Sequence, residues 1–489
     1  MLDKNNAFRL FLALFAGGVM GFGQAPHDIW LATILGCLAG FLLLPALPRI
    51  AFLLGGALGL GYFGTTLFWV TEPFAVDAAT TGWMAPFALV GMAGGLCLFW
   101  AFAFALASWS GRGGLALVIF WSAAELARAY LFTGFPWALL SYIWLDTPII
   151  QLVSLIGPHG LTFVTLSVMG LLAAGTLWRM LTGGALLALL FALGIWITPP
   201  AQEMTDRPII RLVQPNAPQH EKWDPAMTPV FLDRQVGFTA APAQAGRTPS
   251  LVIWPETSVP VLLNQAGPAF ERISAVSGGA PVALGIQREE AGRFYNSLVI
   301  VSPDGETRAI YDKHHLVPFG EYMPVPDLWQ QLGIASLAAR AGGGYTSGPG
   351  SRLIDLADLG RTLPLICYEA VFPQDLHMNA RADFLIQITN DAWFGENAGP
   401  KQHFAQARIR AIEQGLPMLR AANTGISAVI DGAGRVNARL PLGEAGYLDA
   451  PLPPPLSSTV YAKTGDFPIM LINLLAITML FMIRRREFG

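Results

Sequence analysis

Seven apolar runs, near residues 8–24, 29–47, 51–70, 85–108, 113–133, 160–178 and 182–198, crowd the N-terminal part of the chain, and an eighth occupies 467–483. Runs of this kind suit helices that cross about 30 Å of hydrocarbon, where each backbone N–H and C=O must find its partner inside the segment. The chain is therefore expected to build an α-helical membrane bundle of eight transmembrane helices, seven plus one. Composition agrees, with 53% hydrophobic residues, 13% charged residues and a mean hydropathy of +0.48. These values are too apolar for an ordinary soluble protein. The formal net charge of −3 supplies no basic surface for nucleic acid.

Charge placement gives an orientation. Lys4 and Arg9, Arg49, Arg112, Arg179 and finally Arg484, Arg485 and Arg486 fall on one side of the eight runs. The opposite connections hold His27 and Asp28, Glu72 and Asp77, then Asp146 and His159. Because lysine and arginine collect on the cytoplasmic side, both termini are expected in the cytoplasm and residues 199–466 in the periplasm, with the bundle in a bacterial inner membrane. The first run also has signal-peptide features, with Lys4 and Arg9 before an apolar core and Gly23-Gln24-Ala25 after it. Pro26 follows directly and more runs come after, so it is taken as a span.

The connection Ala127–Pro148 breaks at Gly134 and Pro136 and then carries Trp137, Tyr142 and Trp144. Aromatics of this kind favour the membrane–water boundary, as a short interfacial helix or as an anchoring belt. Glu125 and Arg128, three apart, share a helical face and are expected to pair inside the bundle.

After the linker 199–206 the pattern changes to short apolar runs alternating with helical stretches. IIRLVQP, SLVIWPE, PVALGIQ, NSLVIVSP, TLPLICYE and DFLIQITN read as strands too apolar to have a wet side. Pro225–Ala240, Pro268–Ser277 and Gln402–Gln414 suit helices packed on the sheet faces. An α/β domain over 207–450 is expected, followed by a second linker, 451–466, and the last helix with its tail, 467–489.

Three residues in this block form a covalent catalyst. Cys367, at the end of the strand in PLICYEA, is the only thiol outside the apolar runs, which hold Cys37 and Cys97. A thiol attacks a carbonyl as thiolate, so it needs a base for its proton and a cation or donor for the oxyanion. Glu256 in VIWPETSVP is placed after an apolar strand, where a carboxylate has no packing role, and Lys313 in YDKHHLVPFGEYMP supplies the cation. His314 and His315 beside that lysine raise the question of a metal site; strand neighbours point to opposite faces and no zinc-like ligand spacing accompanies them, so neither metal nor cofactor is expected.

The strings around these residues resemble the nitrilase superfamily, whose Glu-Lys-Cys triad matches Glu256, Lys313 and Cys367. More narrowly, KHHLVPFGEYMP, CYE, TNDAWFG, FTGFPW and the seven-plus-one layout are similar to the membrane-embedded bacterial apolipoprotein N-acyltransferase family. The resemblance implies a nitrilase-like αββα sandwich inserted between the seventh and eighth helices. It also implies supporting roles for Trp223, Glu321, Tyr368 and Glu369. The reaction it implies is a two-step acyl exchange: Cys367 takes an acyl chain from a phospholipid as a thioester, and the N-terminal amine of a diacylglyceryl-modified apolipoprotein then accepts it. A monomer needing no cofactor is expected. Apolar stretches after Glu256 and at Leu328–Leu337, with Trp329, Leu332, Ile334 and Leu337, suit a lipid-facing rim, and Val325–Gly350 has the look of a lid. The rival enzyme is a membrane-tethered nitrilase-type amidase hydrolysing a small amide with the same three residues. A transporter would need ionisable residues deep in several spans, and there is little beyond Glu125 and Arg128.

Overall fold

The computed structural model describes residues 3–244, 246–324, 344–378 and 380–488, excluding the side chains of 485–488. The expected lid and the rim segment Leu328–Leu337 fall largely or wholly outside the described residues. Contacts divide the chain into two units: 1–200 with 397–409 and 458–489, and 201–396 with 410–457.

In the first unit a helix lies on each apolar run: Lys4–Gly21, Trp30–Leu43, Pro48–Thr66, Ala85–Ser110, Gly113–Tyr130, Val153–Leu172, Leu177–Ile197 and Phe467–Phe488. Among the described residues, four helical stretches are long and apolar enough to cross a membrane: Ala78–Ser110, Pro148–Leu172, Leu177–Ile197 and Phe467–Arg484. Pro48–Thr66 with Phe68–Ala75, bent by 45°, makes a fifth if the pair is one span, and Trp30–Leu43 is apolar but shorter. The sequence expectation of eight spans is thus matched by four or five on length and apolarity. Large apolar side chains such as Trp178, Trp196 and Phe467 are exposed on these helices, as a hydrocarbon solvent permits.

Several buried polar groups inside this unit are bonded to one another. Arg128 pairs with Glu125 at 2.8 Å and donates to the carbonyls of Phe135, Trp137 and Ala138. Glu125 also accepts the Trp100 indole N–H at 2.7 Å. One arginine therefore satisfies the backbone exposed where the helix gives way to the Gly-Pro break. The aromatics after that break do not form an exposed belt, because Trp137, Tyr142 and Trp144 are all buried. They pack inward: the Trp69 and Trp137 indoles both donate to Gln402 Oε1, whose amide donates to the carbonyls of Ala25 and Thr66. Val153–Leu172 is broken at Gly157, φ 67°, where a Cβ would lie 2.1 Å from the Tyr461 ring. Only glycine fits there. Next to the break His159 meets Asp466 at 3.0 Å, and the Tyr130 and Tyr461 hydroxyls donate to the same carboxylate.

The second unit is built on two sheets. The first contains β1 Ile209–Gln214, β2 Leu251–Ile253, β3 Val259–Leu262, β4 Val282–Glu290, β5 Arg293–Val301, β6 Thr307–Asp312 and β13 Gly446–Pro451, in the order β13-β1-β2-β4-β5-β6, with β3 pairing β4. The second contains β7 Ile354–Asp355, β8 Arg361–Ile366, β9 Phe384–Thr389, β10 Met418–Ala422, β11 Ser427–Ile430 and β12 Val436–Leu440, in the order β12-β11-β10-β9-β8-β7. All six runs read as buried strands belong to these sheets. Thr228–Ala240 and Gly267–Val276 bury Val236, Phe270 and Ile273 against Val252, Leu284 and Val299 of the first sheet and Trp254 just past β2. The alternate residues Leu212, Ile253, Ala283 and Ile300 are buried as well, so both faces are covered, as a largely apolar strand requires. The sheets are joined by Ser427, whose amide and hydroxyl both donate to Gln214 Oε1.

Candidate active site

Three strand ends carry the candidate residues Glu256, Lys313 and Cys367. β2 stops at Ile253, and the chain crosses tightly over Gly285 of β4, where a Cβ would lie 2.4 Å from Thr257 N and 2.6 Å from Glu256 Cα. Glycine is required there to let the Glu256 segment approach. Ser258 N donates to Gly285 O at 2.8 Å and Gly285 N to Pro255 O at 3.2 Å, locking the crossing. Thr257 then takes a left-handed φ of 45°. The buried Glu256 carboxylate accepts the Asn296 side-chain amide at 2.7 Å and the Asn390 backbone N–H at 2.8 Å. Both oxygens are thereby aimed.

Lys313 follows β6 directly. Its backbone amide donates to Asn296 O and its carbonyl accepts Gly348 N. The side chain is buried, with Nζ 2.9 Å from Glu321 Oε1 and 3.5 Å from Glu256 Oε1. Burial opposes its charge, but the Glu321 and Glu256 carboxylates outweigh that and hold the lysine pKa above its ordinary value. The ammonium stays protonated. Glu321 is fixed in turn by Val317 N, which donates to its other oxygen at 2.8 Å.

Cys367 sits at the turn where β8 passes into the 3-10 helix Cys367–Val371, with φ 51°. A non-glycine residue in that region carries strain of order 1–3 kcal/mol and persists only where its surroundings impose it. Here Gln387 Nε2 donates to the Cys367 carbonyl at 3.2 Å, and Arg420 Nη1 donates to Gln387 Oε1. Arg420 also pairs with Asp391, which accepts the Thr389 hydroxyl at 2.7 Å. The same Thr389 hydroxyl is hydrogen-bonded to the Cys367 thiol. Burial pushes that thiol well above its usual range; Glu256 and Asp391 add to the effect and Lys313 opposes it. The resting group is a thiol, and for it to act as a nucleophile a base would have to take its proton.

Glu369 ties the lysine and cysteine segments together. Its Oε1 accepts the backbone N–H of His314 at 2.7 Å and the Tyr311 hydroxyl at 3.0 Å, while Oε2 accepts Ile366 N at 2.7 Å. His314 Nδ1 lies 2.6 Å from the same carboxylate. The two histidines do not point apart as strand neighbours would. β6 has already ended at Asp312, and both reach Asp375 Oδ2, at 3.4 Å from His314 and 2.8 Å from His315. Burial disfavours a charged His314, but Asp375 and Glu369 prevail and raise its pKa to about 10.

Of the remaining expected residues, Tyr368 is buried edge-on against His315 and Phe372. Trp223 stands 44% exposed, with the Lys222 ammonium 5.6 Å from the centre of its ring. Sequence reading did not single out Asn296, Asn390, Thr389, Asp391 or Lys222. The TNDAWFG string holds three of these and was noted only as a motif.

The carbon–nitrogen hydrolase family profile matches residues 212–460, and that of the apolipoprotein N-acyltransferase N-terminal domain matches 16–171. Among curated proteins, the apolipoprotein N-acyltransferase of Rhodopseudomonas palustris is 35% identical, covering 98% of this chain and 96% of its own. The Brucella melitensis protein of the same name is 36% identical over 99% of this chain and 98% of its own. The one from Caulobacter vibrioides is 39% identical over 88% of this chain and 85% of its own.

Proposed function

The chain belongs to the apolipoprotein N-acyltransferase family, and we propose that it moves a fatty acyl chain from a phospholipid to the N-terminal amine of diacylglyceryl-modified apolipoproteins, with Glu256, Lys313 and Cys367 as its catalytic residues. In the first half-reaction Glu256 takes the thiol proton as Cys367 Sγ attacks the ester carbonyl carbon. The oxyanion forms within reach of the Lys313 ammonium. When the carbon–oxygen bond to glycerol breaks, Glu256 returns the proton to the departing oxygen, lysophospholipid leaves and a thioester remains. In the second half-reaction the α-amine attacks the thioester carbonyl, Glu256 takes the proton from nitrogen, and the carbon–sulfur bond breaks. An amide results, and the proton on Glu256 restores the thiol. The ester itself is the activated acyl donor, so the balance closes without nucleotide or metal.

Glu321 and Glu369 would position the lysine and the nucleophile turn. The observation that carries the assignment is the pairing of Lys313 with Glu256 and Glu321 in the field of a buried thiol. That pairing gives base, cation and nucleophile at one place.

The finer topology belongs to the same proposal. Eight spans, a bundle over 1–198, a catalytic domain over 207–450 and linkers at 199–206 and 451–466 follow from the apolar runs and the change of pattern after them, and the alternation of Lys and Arg supports a periplasmic domain with both termini in the cytoplasm. The chain would act as a monomer in the inner membrane. Cys367→Ser and Glu256→Ala are expected to abolish N-acylation of lipoproteins while the protein inserts normally. Ordinary levels of N-acylated lipoprotein in either variant would contradict the proposal.

A further inference from the structure

Lys222 is a buried cation for which the reaction above has no use. It is 8% exposed, and its Nζ donates to the backbone carbonyl of Glu256 at 3.0 Å and to the Thr257 hydroxyl at 2.9 Å. Among the described residues it has no ion pair. Burying an ammonium without a carboxylate partner is unfavourable, and such a group persists where its charge or its hydrogen bonds serve a purpose. Its two acceptors belong to the general base and to the residue after it, whose φ is left-handed.

We propose that Lys222 is a positioning residue of this site: it clamps the Glu256–Thr257 turn from behind, and its charge compensates the negative charge that develops on Cys367. The proposal rests on the reading of Glu256 and Cys367 given above. Lys313 already faces two carboxylates, at 2.9 and 3.5 Å. A thiolate adds a third negative charge, and the Lys222 ammonium, 3.0 Å from the Glu256 carbonyl, is a further positive charge behind the same turn. At ordinary interior dielectric this attraction acts over several ångströms without direct contact.

Few other charges bear on Lys222. A cavity of about 20 Å³ adjoins it, and every other residue lining that cavity, Trp223, Gln235 and Asn423 among them, is neutral. On its own segment Glu221 pairs with exposed His220, while Asp224 accepts the Ala226 amide. From Thr228–Ala240, Arg234 donates to Pro215 O. Burial lowers the Lys222 pKa from 10.5 to about 8, with Glu256 and Cys367 opposing the fall. A neutral amine still donates hydrogen bonds, so the clamp alone would survive deprotonation; the charge would not.

The test is single-turnover acylation of Cys367 in the full-length protein, with phospholipid vesicles and no amine acceptor, followed across pH in wild type, Lys222→Met and Lys222→Arg. Wild type is expected to lose rate as pH rises through about 8. Lys222→Met should be slower by about tenfold or more, the scale of one charge-assisted hydrogen bond, and should lack that alkaline limb. Lys222→Arg should recover much of the rate and carry the limb beyond the accessible range. Wild-type rates in Lys222→Met, or an alkaline limb unmoved in either variant, would overturn the proposal. Should Lys222→Met fail to fold, the position of the limb in Lys222→Arg decides. If wild-type Cys367 accepts no acyl group at any pH, the acyltransfer reading itself fails, a result distinct from unchanged kinetics in the lysine variants.

Discussion

Glu369 accepts the backbone amide of His314 at 2.7 Å, which joins the residue after Lys313, the proposed catalytic lysine, to a carboxylate two places beyond Cys367, the proposed nucleophile. Through its other oxygen it holds Ile366 N, on the strand that delivers the thiol. One side chain thus fixes the relative placement of two segments that the chain brings together from over fifty residues apart.

Replacing Glu369 by Gln should therefore do more than remove a charge. An amide nitrogen would face either Ile366 N or His314 N, and His314 would lose a carboxylate partner. Breaking a buried charged pair of this kind costs up to about 3–5 kcal/mol. The variant is expected to unfold at lower temperature in a thermal melt and to acylate Cys367 poorly, although the free thiol remains titratable after denaturation. A melt and an acylation rate both equal to wild type would remove the tethering role.

Glu321→Gln tests the lysine more narrowly. The variant keeps the bulk of the side chain and weakens the 2.9 Å contact that holds Nζ. If Lys313 stabilises the oxyanion, kcat should fall about 10- to 100-fold, with KM for phospholipid nearly unchanged, as for loss of an interaction made in the transition state. A raised KM with kcat intact would assign Glu321 to substrate binding instead.

Gly285→Ala introduces a methyl group 2.4 Å from Thr257 N. Because the obstacle is backbone, the Glu256 segment must move. A destabilisation of about 1–3 kcal/mol is expected in chemical unfolding, together with loss of acylation out of proportion to it. Retained activity would mean that the crossing over β4 is not what aims Glu256.

His314 makes stability depend on pH. Its folded pKa of about 10 lies above its ordinary value of 6.5, so the native state holds the proton more tightly than the unfolded chain. The stabilisation is fully present below pH 6.5 and is lost as pH rises through about 10. Unfolding free energy should decline across that window, and His314→Asn should flatten the decline. An unchanged slope in the variant would show that other groups titrate there.

The proposed catalytic residues are conspicuous in the sequence because its strands are bounded by side chains that have no packing role. Glu256 after LVIWP and Cys367 after TLPLI stand where an apolar run ends, and such residues are conspicuous. Trp137, Tyr142 and Trp144 were read less well. An aromatic cluster after a Gly-Pro break looks the same whether it faces an interface or an interior, and its partners are remote in sequence: Gln402 for Trp137, and Trp30 and Phe191 for Trp144. The histidine pair misled for a related reason, since strand alternation does not extend to His314 and His315, which lie beyond the end of β6 at Asp312. Lys222 was invisible because its partners are a backbone carbonyl and a hydroxyl, which leave no charge pattern in the sequence. The number of spans turns on length and apolarity, which Trp30–Leu43 and the bent pair Pro48–Thr66 and Phe68–Ala75 meet only in part.

The central claim is that Cys367 carries the acyl group between two lipids. Mass spectrometry of the purified protein, given phospholipid and no amine acceptor, tests it most directly. The expected result is one fatty acyl mass on the peptide containing Cys367, discharged when a diacylglyceryl-cysteine peptide is added. Release of lysophospholipid with no acyl group on that peptide, or an equal adduct in Cys367→Ser at another residue, would contradict it.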